Sequence, residues 1–205
     1  MTPFLQMRGL AVGMPEANID TDVIMPKVFL KGIDREGLAR GLFHDLRFDA
    51  DGGARPAFIL NHAATQDASI LVVGPNFGCG SSREHAVWGM QQFGFRIVIG
   101  TTFGGIFADN SANNGLLLVS LESDVLAPLL AYVCRTPHII AVDLVSQSIE
   151  YESRRISFSV EPERRRMLMS GLDRIGDTLT RSAEIRRFET GHFTAYPWLK
   201  DGEKR

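Results

Sequence analysis

Two hydroxyls, a thiol, a guanidinium, a carboxylate and an imidazole crowd one short run, Asn76-Phe77-Gly78-Cys79-Gly80-Ser81-Ser82-Arg83-Glu84-His85-Ala86. A serine oxygen ringed by N–H donors and an arginine has its alkoxide stabilised. A planar guanidinium suits a carboxylate, and the two glycines let a small molecule approach the backbone. Binding and deprotonation of a small acid is the chemistry these types allow. The elements around the run must hold it. Ile70-Leu71-Val72-Val73 reads as a buried strand, and Gly74-Pro75-Asn76 as the turn that ends it. Ala86, Val87, Met90 and Phe93 then recur at near-helical spacing, and Ser81 with Glu84 has the form of a capping box. The run is therefore expected at a strand-to-helix turn, where unpaired N–H groups and the helix dipole favour an anion.

Other readings of the same run fit less well. Gly78-x-Gly80 between strand and helix resembles a dinucleotide-binding turn, but Arg83 stands where the third glycine belongs and no acidic residue stands near Gly100. A phosphate-cradling P-loop would need Gly-Lys-Ser or Gly-Lys-Thr, which is missing. Cys79 beside Arg83 and a helix start would be a favoured thiolate, with His85 as its base, if that ring turned back toward the sulfur. A structural reading makes Ser81 the cap, Glu84 its reciprocal partner and Cys79 a small buried residue. It leaves Ser82, Arg83 and His85 without a reason to crowd the same turn.

With 205 residues, 44% of them hydrophobic, the chain is long enough for one globular domain with a sizeable core. A net charge of −2 and a single short basic run, Arg164-Arg165-Arg166 beside Glu161 and Glu163, give no footprint for nucleic acid. No apolar run reaches the roughly 18 residues of a membrane span, and the N-terminus lacks a signal-peptide layout, so a cytoplasmic protein is expected. The two cysteines, Cys79 and Cys134, form neither a disulfide framework nor a metal site of their own, and Cys134 is expected on the apolar face of a helix.

Along the chain, Met7 to Gly13 is a plausible strand, and Asn18-Ile19-Asp20-Thr21-Asp22 a polar turn in which Asp20 and Asp22 bond their own backbone. The glycine-punctuated stretch from Phe29 to Pro56, with one short helix around Glu36 to Leu42, is expected to be a mobile lid. Strands are expected at Ala57 to Leu60, Ser69 to Val73, Arg96 to Gly100 and Leu116 to Leu121, with a helix from Thr101 to Ala112 stopped at Asn113-Asn114-Gly115 and another from Ser123 to Cys134. Ile139 to Val145 and Ile156 to Val160 suggest a hairpin or small antiparallel sheet. A helix opening at Glu161-Pro162 and ending at Gly171, a second from Leu179 to Glu189, and a polar tail from Gly191 close the chain.

Gly78-Cys79-Gly80-Ser81-Ser82-Arg83-Glu84-His85-Ala86 resembles the signature of the swivelling domain of the aconitase superfamily. Asn18-Ile19-Asp20-Thr21-Asp22 with Pro26-Lys27 looks like that family's N-terminal motif, and Gly94-Phe95-Arg96 through Phe103 and Asn114-Gly115-Leu116-Leu117 follow its next segments. Val87, Gly104-Gly105 and Leu118 depart from its usual residues. The resemblance implies an α/β fold, a swivelling β/β/α domain over residues 1–190 with a central mostly parallel sheet, flanking helices and a C-terminal hairpin plus helices, followed by a tail at 191–205. It further implies one chain of a two-subunit hydro-lyase that isomerises 2-isopropylmalate by dehydration and rehydration in leucine biosynthesis. Sister enzymes act on 2-methylmalate and citraconate, maleate, dimethylmaleate or homoaconitate; a binding protein that keeps the fold without the catalysis is the other class. By the same resemblance Ser81 is the base, Arg83 holds a substrate carboxylate, Ser82 and Gly80 contact substrate, and Leu30 in the lid, with Val28 and Phe29, packs on its alkyl group. The family's Lewis acid is a 4Fe-4S cluster on three cysteines; with two cysteines this chain is expected to bind no cofactor, the cluster residing on a large-subunit partner.

Overall fold

The computed structural model describes residues 1–30 and 36–203. Its frame is set by strands whose side chains are buried on both faces, as the continuous apolar runs require of a parallel sheet. β1 (Gln6–Met14), β2 (Ala68–Val73), β3 (Ile97–Gly100) and β4 (Leu117–Ser120) lie parallel. β5 (His138–Asp143), β6 (Ser148–Tyr151) and β7 (Arg154–Ser157) add antiparallel strands beyond β1. Among the described residues they form one seven-stranded sheet in the order β4-β3-β2-β1-β5-β6-β7. β1 joins the two halves: Leu10 to Met14 pair with β2, and Gln6 to Ala11 with β5.

Alternation along the strands feeds two cores. Leu71, Val73 and Val98 face one side, where they meet Ala86, Val87 and Met90 of α3 (Glu84–Phe93) and Phe107 of α4 (Gly105–Asn114), the helices that cross from β2 to β3 and from β3 to β4. Ile70, Val72, Ile97 and Ile99 face the other, where Leu126, Leu129 and Val133 of α5 (Ser123–Arg135) cover them. Two one-turn helices, α1 (Thr21–Ile24) and α2 (His44–Arg47), precede β2, and α6 (Pro162–Ser170), α7 (Arg174–Thr180) and α8 (Ser182–Ala195) follow β7. Among the described residues no helix is long and apolar enough to cross a membrane.

The expected mostly parallel core sheet with flanking helices is present, and several local expectations are corrected. Residues 57–60 are not a strand; Ile59–Asn61 forms a 3-10 turn, because both edges of β2 are already taken by β1 and β3. The polar residues between the two expected C-terminal strands contain β6, so the antiparallel part has three strands. The last expected helix is two, α7 and α8, and α8 runs on to Ala195, so residues 191–195 are helical. Cys134 is exposed as a residue although its Sγ lies toward Gly13 of β1, and its thiol is pushed up by partial burial and by the charge of Glu16. Only Leu38–Arg40 of the expected short helix is helical, as a 3-10 turn, and Leu38, Leu42 and Phe43 are buried in the core. These three residues fall inside the stretch expected to be a lid, of which residues 31–35 lie outside the described residues and residues 49–57 are exposed.

Candidate active site

Three turns at the end of the parallel strands are tied into one unit by main-chain hydrogen bonds. The first follows β1, the second β2 and the third β3. Gly78 N–H donates to the Ile19 carbonyl (2.7 Å), Asn18 N–H to Pro75 (2.9 Å) and Thr21 N–H to Cys79 (2.9 Å). Phe77 N–H donates to the Thr102 carbonyl (3.2 Å) and Gly104 N–H to Phe77 (2.9 Å). Side chains add to the weave: Thr21 Oγ1 donates to the Ser81 carbonyl (2.7 Å), Asn76 N–H to Thr102 Oγ1 (2.8 Å), and Asn76 Nδ2 to Asn18 Oδ1 (2.8 Å).

The glycines have specific causes here. Gly78 has φ +73°, and a Cβ on it would stand 2.4 Å from the ring of Phe107. A Cβ on Gly104 would stand 2.2 Å from the Gly78 carbonyl oxygen. That close approach gives Gly104, one of the departures from the family pattern, a local reason. Phe77 packs edge-on to Phe107 at 5.6 Å between centroids, filling the floor under the turn.

On this floor Gly80, Ser81 and Ser82 are exposed, immediately before the first turn of α3, and Arg83 behind them is only 7% exposed. The expected capping box is not formed. Helix α3 begins at Glu84, its N-cap is Arg83, and no side chain caps it. Ser81 is instead held by its carbonyl, which leaves its hydroxyl outside the helix bookkeeping. Glu84 accepts from Asn114 Nδ2 (2.7 Å) at the end of α4, and the same asparagine accepts from Trp88 Nε1 (2.9 Å). Gln91 Nε2 donates to the Asn114 carbonyl (2.7 Å), so one residue fixes α3 against α4 along its length. His85 packs on Trp88 (4.7 Å between centroids), one turn along the helix, and Cys79 is part-buried in a bridge with Asp20. A Cys79–His85 nucleophile pair gains no support from that arrangement.

Arg83 meets a partner that the sequence reading missed. Its Nη1 forms an ion pair with Asp22 and donates to the Met25 carbonyl (3.2 Å). Two neighbouring aspartates thus divide the work: Asp20 Oδ1 accepts from Val23 N–H (2.7 Å) and caps α1, while Asp22 reaches across to Arg83. The signal was the unusual density of acids in Asn-Ile-Asp-Thr-Asp opposite a lone arginine in the glycine turn. Leu30 lies on the 3-10 turn Lys27–Leu30 that follows Met25; it and Phe29 pack partly on the core, while Val28 is 68% exposed.

The residues do not fit a 4Fe-4S cluster. Cys79 lies in the turn and Cys134 near the end of α5, and among the described residues no group of three or more His, Cys, Asp or Glu could hold a metal ion. What the turn offers is a pair of exposed hydroxyls on a locked backbone with a buried guanidinium behind them.

Comparison with known proteins places this arrangement. The aconitase C-terminal domain family matches residues 1–124. The 3-isopropylmalate dehydratase small subunit 1 of Mannheimia succiniciproducens is 50% identical over 98% of this chain and 100% of its own length. Small subunit 2 of the same enzyme from Salmonella typhimurium is 51% identical over 98% of this chain and 97% of its own length. The crystal structure of 3-isopropylmalate dehydratase from Methanocaldococcus jannaschii, at 24% identity, has the same fold, with a TM-score of 0.67 over 89% of this chain and 99% of that one. The chain belongs to the aconitase C-terminal domain family and, within it, to the small subunits of 3-isopropylmalate dehydratase.

Proposed function

We propose that this chain is the small subunit of a two-chain, cytoplasmic hydro-lyase that interconverts 2- and 3-isopropylmalate by loss and return of water. The observation that carries the reading is the exposed Ser81-Ser82 pair on a turn held by three neighbouring segments, in a chain whose relatives at 50% and 51% identity are named as small subunits of that enzyme. Ser81, as its alkoxide, takes the proton from the carbon next to the one that loses hydroxide. An unsaturated diacid results, and water returns with the opposite regiochemistry. The first-turn N–H groups of α3 and the Arg83 charge favour the alkoxide electrostatically.

Ser82 and the backbone at Gly80 bind substrate beside it. Arg83 takes a substrate carboxylate through donors other than Nη1, and the Asp22 and Met25 contacts fix the plane of its fork. Leu30, with Phe29 and Val28, offers apolar contact to the isopropyl group. Expulsion of hydroxide needs a Lewis acid, and the residues of this chain do not supply one. That chemistry belongs to a large-subunit partner carrying the iron-sulfur cluster.

The test is anaerobic assembly with the cognate large subunit, followed by turnover of wild type and Ser81→Ala on 2-isopropylmalate, 2-methylmalate, maleate, dimethylmaleate and homoaconitate. Loss of the base should lower kcat by about 10²- to 10⁴-fold with assembly intact. Full activity of Ser81→Ala would reject the mechanism, and a preference for another diacid would reject the substrate.

A further inference from the structure

The last helices carry a set of apolar and aromatic side chains that nothing among the described residues covers. Ile175 is 71% exposed, Leu179 62%, Phe188 70% and Trp198 69%. No residue of α8 is buried, although Ile185, Phe188 and His192 recur along one side of it. The rings run on as a ladder: Phe188 stacks on His192 (5.5 Å), His192 meets Tyr196 (5.1 Å), and Tyr196 meets Trp198 (5.5 Å). A helix of this length is marginal in water without packing of its apolar side. Exposed apolar surface on this scale, with rings in mutual contact from Phe188 to Trp198, marks an interaction site, and aromatic rings are the usual anchors of one.

Position selects the occupant. Asp173, the N-cap of α7, with Arg174 and Ile175 that open it, lines one cleft together with Glu84 and Asn114, and Glu84 directly follows Ser81-Ser82-Arg83. Ile175 therefore stands at the rim of the candidate site, and α8 follows α7 after one intervening residue. A chain that closes over the exposed serines to complete the site lies against Ile175 first and against α8 beyond. The segment is also shared by named small subunits, since the Mannheimia relative aligns over 98% of this chain, whereas the family match ends at residue 124.

We infer that the ridge formed by Ile175, Leu179, Ile185, Phe188, Tyr196 and Trp198 is a docking surface for the large subunit, anchoring it beside the half-site on Ser81 and Ser82. The inference rests on the two-chain reading above, and it assigns assembly to a part of the chain distinct from the catalytic turn.

Binding and turnover are measured separately on the full chain. Sedimentation equilibrium with purified large subunit should show the Phe188→Asp/Trp198→Asp double variant binding roughly thirtyfold or more weakly than wild type. Its thermal midpoint should be unchanged, since neither ring is buried, and kcat should return to the wild-type value when the variant is supplied in saturating excess. Ile175→Asp, at the site end of the ridge, should weaken binding in the same direction and serves if the double variant fails to fold. Unchanged affinity in a folded variant overturns the inference. So does a wild-type chain that binds no large subunit, or one that self-associates through the ridge and dissociates on Phe188→Asp. A wild-type pair that assembles through the ridge without isomerising isopropylmalate would remove the functional reading and leave the docking surface standing.

Discussion

The turns at residues 18–22, 76–83 and 102–104 hold one another by main-chain hydrogen bonds and keep apolar rings beneath them, whereas residues 182–200 carry their rings outside and bury none. Exposed hydroxyls on the first region cost little, because water solvates them, and the backbone below is rigid without help. Exposed rings on the second are costly until something covers them. The difference separates two jobs within one small chain. Positioning of the reacting groups is internal to the fold, and substitutions there should act on stability or turnover. Attachment depends on a second surface, and substitutions there should act on assembly while the fold stays intact.

The largest break in that comparison should come from Gly78→Ala. The new methyl would meet the Phe107 ring at 2.4 Å on a backbone with φ +73°, so both packing and conformation oppose it. Overpacking and the left-handed backbone together should cost roughly 3 kcal/mol, a fall in the unfolding midpoint of about 10 °C. Calorimetry of the isolated chain checks it. A midpoint within a degree or two of wild type would mean that the turn relaxes readily and is not the rigid platform described.

Asp22→Ala should do less. It leaves Arg83, nearly buried, with the Met25 carbonyl but without its counter-charge. Breaking a fully buried pair costs several kcal/mol, but the Asp22 side chain is 45% exposed, so solvent screening reduces the expected loss to about 1–2 kcal/mol. If Arg83 holds the substrate carboxylate as proposed, KM for the diacid in the assembled enzyme should rise more than kcat falls, because its fork loses the contact that orients it. An unchanged KM would remove Arg83 from substrate binding and leave the pair purely structural.

These two residues also show what could be read before the structure and what could not. The nine-residue run from Gly78 to Ala86 was recognisable because glycines, serines and an arginine rarely concentrate so, and the parallel strands because their apolar runs are unbroken. The capping box was misread because local spacing cannot tell whether a serine enters the helix or stays outside it. Here Thr21, some sixty positions away, binds the Ser81 carbonyl and starts the helix three residues later. Asp22 was undervalued for the same reason: its partner is distant in sequence. Strand β6 was hidden because a short strand with polar residues at the sheet's far side has little hydrophobic signal. Of the exposed ridge, Ile185 and Phe188 fall in the helix expected from Leu179 to Glu189 and Tyr196 and Trp198 in the tail expected from Gly191; only the run of α8 to Ala195 brings their rings into one row.

The smallest effect tests how firmly the docking helices are held to the body. Arg166 of α6 pairs with Asp177 of α7, with Nη2 donating to Oδ2 at 3.0 Å, and the hydrogen bond and charge of Arg166 hold the Asp177 carboxyl below its ordinary range. The arginine is shifted correspondingly upward by the same contact. A depressed folded-state value means that this contribution is fully present above the ordinary carboxylate pKa, near 3.9, and is lost as pH falls through the lower folded value. The pair is exposed, so the loss should stay local. Amide exchange corrected for intrinsic rates should show protection in α7 steady from pH 7 to about 4.5 and falling below about 4, while α3 keeps its protection until the whole domain unfolds. Asp177→Asn should show the weakened α7 protection at neutral pH with an unchanged thermal midpoint. Equal α7 protection in variant and wild type at pH 7 would mean that the contacts of α6 and α7 other than this pair hold the ridge in place.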